Sequence, residues 1–441
     1  MKPADSPPAA LTSATTRGPW WWVPSLYFAE AVPYVLVMTV SVAMYKRLGI
    51  SNNDIALYTS LLYLPWVLKP FWSPLVDVLG TKRRWIFSMQ IGIACAIVGV
   101  AATLPSPSFF VLTLAFFWLM AFSSATHDIA ADGYYMIGMP AHEQAMFVGI
   151  RSSFYRLGII AGQGLLVMVA GILERHVSTQ TAWSWTFFAA AAMFFMLAAY
   201  HQLTLPRNER SPGADSTTLG ASLAQSVISF FQKPAIGISI AYILLYRFAE
   251  AQLVKLAQPF LLDAREEGGL AVSTAQLGLI YGTIGVVMLV AGGILGGFAA
   301  ARHGLKHWIF WMALAINLPN LVYVYLAYVQ PEELWAIAVC VALEQLGYGF
   351  GFAGYMLYLL YISRGEHETA HYAICTGFMA LGMMIPGMFA GRLQEWLGYT
   401  QFFVWVVVAT IPSFLVTLLI PVDATFGRRN AANAAADEGP L

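Results

Sequence analysis

Residues 116–137 read FFWLMAFSSATHDIAADGYYMI, an apolar stretch with two carboxylates in its second half. About 20 such residues, wound as a helix, are long enough to cross a bilayer. Asp128 and Asp132 are four residues apart, so a helix places both on one face. A charge at bilayer depth is tolerated only where it faces water or a partner. This stretch therefore predicts a membrane-spanning helix within a bundle, with both acids facing a polar pathway.

The whole chain is also rich in apolar residues and poor in charged ones. Of its 441 residues, 59% are hydrophobic and 10% are charged. Soluble domains carry about 25% charged residues, so little wetted surface is expected. We predict an all-α polytopic membrane protein with about twelve transmembrane helices. These are placed at 20–46, 54–78, 85–104, 109–138, 145–173, 183–205, 234–262, 274–300, 307–328, 332–361, 370–394 and 400–421.

A polar connection at 206–233 divides the predicted spans into two sets of six. The tetrapeptide FAEA at 28–31, in the first span, recurs at 248–251 in the seventh. A repeat at the same position of each set predicts two pseudo-symmetric six-helix halves. The predicted domains are a cytoplasmic N-terminal lead at 1–19, an N-terminal six-helix bundle at 20–205, the cytoplasmic linker at 206–233, a C-terminal six-helix bundle at 234–421 and a disordered cytoplasmic tail at 422–441.

Basic residues are distributed unevenly between the two sides of the predicted bundle. With the N-terminus inside, thirteen lysines and arginines lie on the cytoplasmic side and five on the other. Cytoplasmic loops of membrane proteins are enriched in these residues, so both termini are predicted to be cytoplasmic. The formal net charge is zero, which indicates no nucleic-acid partner.

The fourth and fifth predicted spans are antiparallel and joined by a short turn. Counted from that turn, Asp132 lies at the depth of Arg151, and Asp128 at the depth of Arg156. Pairing would offset much of the cost of burying these charges. Because the arginines are five residues apart, about 140° around a helix, they cannot both face the fourth span. One is expected to reach a central cavity and hold an anionic substrate group. The alternative is a structural salt bridge near the cytoplasmic gate.

Glu30, Asp128 and Glu250 are the candidates for proton coupling. A buried carboxylate whose partner changes between two states can take up and release a proton. Arg247 lies three residues before Glu250 and is expected to pair with it along one helix face, so it joins the pathway candidates. Static charge neutralisation is the alternative for each acid. Lys69 is expected to extend its ammonium towards the cytoplasmic surface.

The tenth span supplies four more pathway candidates: Glu344, Tyr348, Tyr355 and Tyr358. Glu344 is an intramembrane acid with no partner evident in the sequence. The three tyrosines fall near one helical face, and tyrosine offers both a stacking surface and a hydroxyl. Such a face would line a cavity for a sugar or an aromatic ligand. Packing between helices is the competing interpretation.

Histidine and cysteine give no sign of a metal site. His127 lies beside Asp128, but neighbouring residues on a helix point about 100° apart, which weakens a joint role in proton transfer. No clustered ligand spacing surrounds it. The three cysteines fall in separate spans, as small core residues do. We therefore expect neither a metal nor a cofactor, and the absence of a nucleotide-binding glycine loop makes direct drive by ATP improbable.

Three motifs resemble the AmpG-type permeases of the major facilitator superfamily, which belong with the peptide/acetyl-coenzyme A transporters. The motifs are KPFWSPLVD at 69–77, SATHDIAAD at 124–132 and YRLG at 155–158. The first leads into TKRR at 81–84, which resembles the gating loop of the superfamily. The resemblance implies that Asp128, Asp132 and Arg156 lie in the transport path. It also implies a cytoplasmic gate made of Asp77, Lys82, Arg83 and Arg84.

The resemblance implies a proton-coupled importer of the bacterial inner membrane that works by alternating access as a monomer. Its expected partners are protons, the lipid bilayer and a polar solute such as a muropeptide or an amino-sugar oligosaccharide. A siderophore or acyl-coenzyme A permease of the same fold is the nearest alternative. A membrane enzyme would need a large polar loop or a compact catalytic cluster, which the sequence lacks. The central charges in both halves argue against a non-transporting sensor.

Overall fold

A computed structural model describes residues 18–139, 141–206, 225–365 and 367–427. Every regular element within these ranges is a helix. The crossings are labelled α1–α12 in chain order: α1 Pro19–Arg47, α2 Asn52–Leu61 with Leu64–Val78, α3 Lys82–Thr103, α4 Phe109–Gly138, α5 Met146–Leu173, α6 Thr179–Thr204, α7 Ile236–Leu262, α8 Thr274–His303, α9 Leu305–Val329, α10 Leu334–Ser363, α11 368–397 and α12 399–419.

The predicted twelve-helix fold is confirmed, although two of the crossings are irregular. Ten continuous helices in the described ranges are long and apolar enough to span a membrane. The stretch Glu368–Leu419 counts once among these ten, yet Gly398 divides it with a left-handed backbone (φ 73°, ψ 165°). The second transmembrane helix, α2, is not among the ten because it is broken into two shorter pieces.

Local sequence explains where these helices begin and end. Pro65 lies in the first turn of the second piece of α2, where its missing N–H is not needed by the helix. Ser51, Thr81, Ser178 and Ser273 each precede a crossing, and each side chain accepts a hydrogen bond from a backbone N–H of the first turn. Such caps satisfy donors that have no partner inside the helix. The hairpin turns are therefore fixed by single polar residues.

Within each set of six helices the connections are short, so successive helices run in opposite directions. We call the face where α1 begins and α12 ends the terminal face, and the opposite one the far face. Large apolar side chains such as Trp335 and Trp396 lie exposed on the outside of the bundle. An exposed apolar exterior around a polar interior is the arrangement expected of helices surrounded by lipid. The protein is therefore a multi-pass membrane protein.

The two sets of six helices meet closely near the far face. A Cβ placed on Gly164 of α5 would lie 2.6 Å from Thr283 Oγ1 of α8. A Cβ on Gly387 of α11 would lie 2.6 Å from Ser60 Oγ of α2. Small residues let helix backbones approach in this way. A side chain larger than glycine at either position would require the opposing hydroxyl to move.

Polar contacts reinforce the far-face closure. Lys46 Nζ lies 2.6 Å from Asp263 Oδ1, which joins the end of α1 to the end of α7. Asn52 donates to Gln394 Oε1 at 2.7 Å and to Tyr399 Oη at 2.8 Å. Tyr399 donates in turn to Asp263 Oδ2 at 2.6 Å. This network, which we call the far-face seal, links the two halves on one side of the membrane.

Candidate functional site

Five charged side chains meet within the N-terminal half, where α1, α2, α4 and α5 pack together. They are Glu30, Lys69, Asp128, Asp132 and Arg151, and we call them the charge cluster. The cluster contains three acids and two bases. Its residues come from four helices and span positions 30 to 151, so the site exists only in the folded bundle.

Asp128 forms its ion pair with Lys69 of α2 and not with Arg156. The expectation that Lys69 extends towards the membrane surface is therefore wrong. The reason is that α2 packs against α4, and the long lysine stem reaches the carboxylate across that contact. Arg156, about 140° around α5 from Arg151, faces α8 instead. Its Nη2 atom lies 3.8 Å from the position of a Cβ on Gly293.

Glu30 completes this side of the cluster from α1. Its carboxyl group lies next to that of Asp128. Two neighbouring carboxylates repel each other, so their charges need compensation from a base or a proton. The Oε2 atom of Glu30 is buried and has no hydrogen-bond partner among the described residues. Two acids therefore lie beside the single ammonium of Lys69.

Asp132 is held by a tyrosine as well as by Arg151. Tyr27 donates to Asp132 Oδ1 at 3.0 Å, and Arg151 Nη1 lies 3.4 Å from the same oxygen. Arg151 also donates to the Tyr27 hydroxyl at 2.9 Å. Its guanidinium carbon lies 4.7 Å from the Tyr27 ring centroid and 4.9 Å from that of Tyr135. The depth count indicated Arg151, but nothing in the sequence pattern pointed to Tyr27.

The cluster faces the other half of the protein across a partly open space. Exposed side-chain fractions are 20% for Asp128, 24% for Lys69, 32% for Arg151 and 36% for Asp132. Tyr372 of α11 interacts electrostatically with Lys69, Asp132 and Arg151. The exposed side of the cluster therefore points into the interface between the halves. Acids and bases placed there are positioned to meet a solute between the halves.

The basic loop before α3 is tied to its own half of the protein. Arg83 donates from Nε to the carbonyl of Leu205 at 3.1 Å, which joins the start of α3 to the end of α6. The stem of Lys82 packs over Gly133 of α4, where a Cβ would lie 2.8 Å from Lys82 Cε. The remaining gate candidates are Arg84, in the first turn of α3, and Asp77, whose side chain lies outside the described part of α2.

The C-terminal half carries fewer compensated charges. Arg247 donates to the Tyr348 hydroxyl, and it forms no ion pair within 4.0 Å of Glu250. The predicted pairing along one helix face is therefore wrong. The helix breaks at Arg247 (φ −108°, ψ 21°), which redirects the side chain towards α10. Glu250 Oε2 is buried and has no hydrogen-bond partner in the described part of the chain, and Glu344 accepts a hydrogen bond from Gln345 at 2.9 Å.

The three tyrosines of α10 share one face, but that face packs against α7. Tyr348 contacts Arg247 there. Tyr355 donates to the Ile243 carbonyl at 2.8 Å, and the Tyr358 hydroxyl lies 2.8 Å from Ser239 Oγ. Tyr355 and Tyr358 are fully buried. For Tyr355 and Tyr358 the structure therefore favours packing over a cavity lining, because their hydroxyls satisfy polar atoms of α7. Tyr348 is only half-buried and stays a pathway candidate.

His127 points away from the charge cluster. Its Nε2 lies 3.0 Å from Gln90 Nε2 of α3, and Gln90 Oε1 lies 3.0 Å from His201 Nδ1 of α6. His201 Nε2 lies 2.9 Å from Ser25 Oγ. Both histidines are fully buried. The network joins α1, α3, α4 and α6 inside the N-terminal half, which assigns His127 a packing role there.

Comparisons with known proteins agree with this architecture. The profile of the Major Facilitator Superfamily matches residues 25–256. The chain is 24% identical over 418 residues to the anhydromuropeptide permease of Escherichia coli strain K12, covering 92% of this chain and 80% of that protein. It is 22% identical over 412 residues to an AmpG-named transporter of Rickettsia conorii, covering 90% and 94%.

Solved structures share the fold at low sequence identity. A D-xylose–proton symporter matches with a TM-score of 0.66 at 14% identity, covering 92% of this chain and 98% of the symporter. A bacterial homologue of the human lysosomal transporter Spinster, in an inward-facing and unoccupied conformation, matches with a TM-score of 0.66 at 16% identity, covering 90% and 95%. The match to the family profile spans more than half of the chain, from α1 into α7. This protein therefore belongs to the Major Facilitator Superfamily and is a membrane transporter, not an enzyme.

Proposed function

We propose that this transporter is a proton-coupled importer of muropeptide-type solutes in the bacterial inner membrane, with both termini in the cytoplasm. The cargo is an amino sugar or amino-sugar oligosaccharide that carries a peptide. Support for this cargo comes from the anhydromuropeptide permease and the AmpG-named transporter among the relatives. Support for the orientation comes from the excess of basic residues on the side of the termini.

The observation that carries the proton coupling is the placement of two neighbouring carboxyl groups, Glu30 and Asp128, beside the single ammonium of Lys69. Two adjacent carboxylates and one ammonium are best neutralised when the acids share one proton. If Lys69 moves away from Asp128, a second proton is needed to keep the site neutral. Movement between the halves would thus be linked to proton uptake and release at this pair.

The far-face seal supports an alternating-access cycle. In this structure the two halves are joined near the far face, and the charge cluster is partly exposed at their interface. The proposed orientation makes the far face periplasmic, so this conformation is open to the cytoplasm. A cargo would reach the cluster from the periplasm only after the seal has parted.

Arg151 and Arg156 are the proposed contacts for acidic groups of the cargo. Arg151 is held by stacking on Tyr27 and Tyr135, and one third of its side chain is exposed. Arg156 extends across the interface towards α8. Guanidinium groups bind carboxylates with two parallel hydrogen bonds, so this pair suits a peptide carboxylate. Asp132 would position Arg151, since both contact the Tyr27 hydroxyl.

The test is uptake by proteoliposomes that contain a trapped pH-sensitive dye. Addition of an anhydromuropeptide to the wild-type protein should acidify the lumen, and an imposed proton gradient should raise accumulation of the cargo. Asp128→Asn should abolish accumulation, while the matched control Glu266→Gln, at an exposed loop carboxylate, should behave as the wild type. Uptake that ignores the gradient would exclude proton coupling, and absence of muropeptide uptake would exclude the cargo.

A further inference from the structure

Lys255 of α7 is a buried cation without a counter-ion. Its side chain is 1% exposed. In the described residues no carboxylate lies within 4.0 Å of its Nζ atom. Its ammonium donates to Thr59 Oγ1 of α2 at 3.0 Å and lies 5.3 Å from the ring centroid of Tyr63. One hydroxyl and one ring face compensate a buried charge only in part.

Within the part of the chain that the structure describes, other polar groups beside Lys255 also lack partners. Ser60, next to Thr59 in α2, has a buried hydroxyl with no hydrogen bond. Gln258 lies three residues after Lys255, on the same side of α7, and its Oε1 atom is buried and unpaired. The third helix around Lys255 is α11. A Cβ placed on its Gly387 would lie 3.5 Å from Lys255 Cγ. Three helices thus enclose a small polar site that its own residues leave unsatisfied.

Lys46 in the same interface shows the contrast. Its Nζ lies 2.6 Å from Asp263 Oδ1 and 2.9 Å from Asn52 Oδ1, so its charge is fully compensated. Both lysines cross from one half to the other near the far face. Lys46 therefore stabilises the state in which the far face is closed, whereas Lys255 has no anionic partner among the described residues in that state.

We propose that Lys255 is an anion-binding site of the outward-open state, and that its ligand is a carboxylate of the transported solute. This inference rests on the proposed alternating-access import. When the far face opens, α2 carries Thr59 and Tyr63 away with the N-terminal half, which leaves the ammonium of α7 facing the pathway. A carboxylate then takes the place of Thr59, because it accepts from the ammonium more strongly than a hydroxyl does.

Closure of the far face reverses this exchange. Thr59 and the ring of Tyr63 return to Lys255 and displace the carboxylate towards the terminal side. The guanidinium groups of Arg151 and Arg156 lie on that side and can accept it. The anion would therefore pass from a site that exists only in the outward-open state to one that is accessible in the inward-open state.

The first experiment compares two probes in proteoliposomes: an anhydromuropeptide, and the same compound with its peptide carboxyls amidated. The preference for the acid, as the ratio of the two kcat/KM values, should fall about tenfold in Lys255→Gln, which corresponds to about 1.4 kcal/mol. Lys255→Arg should retain most of the preference. Lys46→Gln should slow both probes equally and leave their ratio unchanged. An unchanged ratio in Lys255→Gln would overturn the proposal.

A second experiment does not depend on the identity of the cargo. Trinitrobenzenesulfonate, an anionic reagent specific for amines, is applied to the full-length wild-type protein in proteoliposomes, and labelled lysines are mapped by mass spectrometry. Lys255 should be labelled slowly, as the far face opens, and glutarate should protect it. If glutarate protects Lys255 while neither muropeptide probe is carried, the site stands and the proposed cargo fails. Absence of labelling, or labelling that glutarate does not slow, would refute the anion site.

Discussion

The two halves of the transporter contain the same FAEA tetrapeptide, but they surround its glutamate differently. Glu30 lies next to Asp128, whose charge is balanced by Lys69. Glu250 has a buried oxygen without a partner, and its neighbour Arg247 bonds to a tyrosine. The N-terminal half therefore pairs Asp128 and Asp132 with bases in a partly open space, whereas Glu250 and Glu344 of the C-terminal half are buried and form no ion pair among the described residues.

In this chain the internal repeat preserves the position of a glutamate in its helix but not the side chains around it. The fourth and tenth crossings are both 30 residues long and occupy corresponding places in their halves. The fourth presents two aspartates, while the tenth presents tyrosines that satisfy polar atoms of α7. We infer that the residues that couple transport to protons are concentrated in the N-terminal half. Variants in the two halves should therefore differ in their effect on transport.

Lys69→Met should have the largest effect. It leaves Asp128 without its cation, and loss of one partner of a largely buried pair destabilises the fold by about 3 kcal/mol. Accumulation of cargo should also be lost, because the base that balances Asp128 is gone. Uptake by proteoliposomes measures this loss, and size-exclusion chromatography reports on folding. The double variant Lys69→Met/Asp128→Asn removes both charges and should recover folded protein without recovering accumulation. Normal accumulation in Lys69→Met would remove the charge cluster from the mechanism.

Glu30→Gln and Glu250→Gln form a matched pair. A gradient of one pH unit supports about tenfold accumulation per coupled proton, because one unit equals about 1.4 kcal/mol. Glu30→Gln should lose this accumulation and still allow downhill exchange, whereas Glu250→Gln should retain it. Accumulation and exchange of radiolabelled cargo distinguish the two. Equal loss in both variants would show that the halves share the coupling.

Arg151→Lys should have an intermediate effect. Lysine keeps the charge but lacks the planar group that stacks on Tyr27 and Tyr135. We expect KM for an acidic cargo to rise about fivefold, equal to about 1 kcal/mol for the lost stacking and hydrogen bonding. Arg247→Lys is the corresponding change in the other half. An equal rise in KM there would contradict the placement of substrate contacts in the N-terminal half.

Tyr355→Phe should have the smallest effect. It removes one hydrogen bond, from the hydroxyl to the Ile243 carbonyl, in a fully buried position. The expected loss of stability is about 1 kcal/mol. Thermal unfolding in detergent should detect a small shift, and the KM for cargo should not change. A clear increase in KM would restore Tyr355 to the pathway.

Most of the fold is predictable from the sequence, because each crossing is a long apolar stretch of nearly the required length. The depth of Arg151 relative to Asp132 is also predictable, since a short turn fixes the register of two antiparallel neighbours. The Lys69–Asp128 contact cannot be predicted in this way, because the two residues are 59 positions apart in the sequence. They meet only when the helices pack into the bundle. The helix break at Arg247 likewise depends on packing, and it redirects the side chain that the helical spacing assigns to Glu250.

The far-face seal has an electrical consequence. The membrane potential falls mainly across insulating layers and hardly at all across a hydrated opening. In this conformation the insulating layer extends from the Lys46–Asp263 pair inward to the buried Lys255, while the side chains of Asp128 and Asp132 are partly exposed. Each 100 mV is worth about 2.3 kcal/mol per charge moved through that layer. The voltage sensitivity of the cycle should therefore reside in the steps that open and reseal the far face.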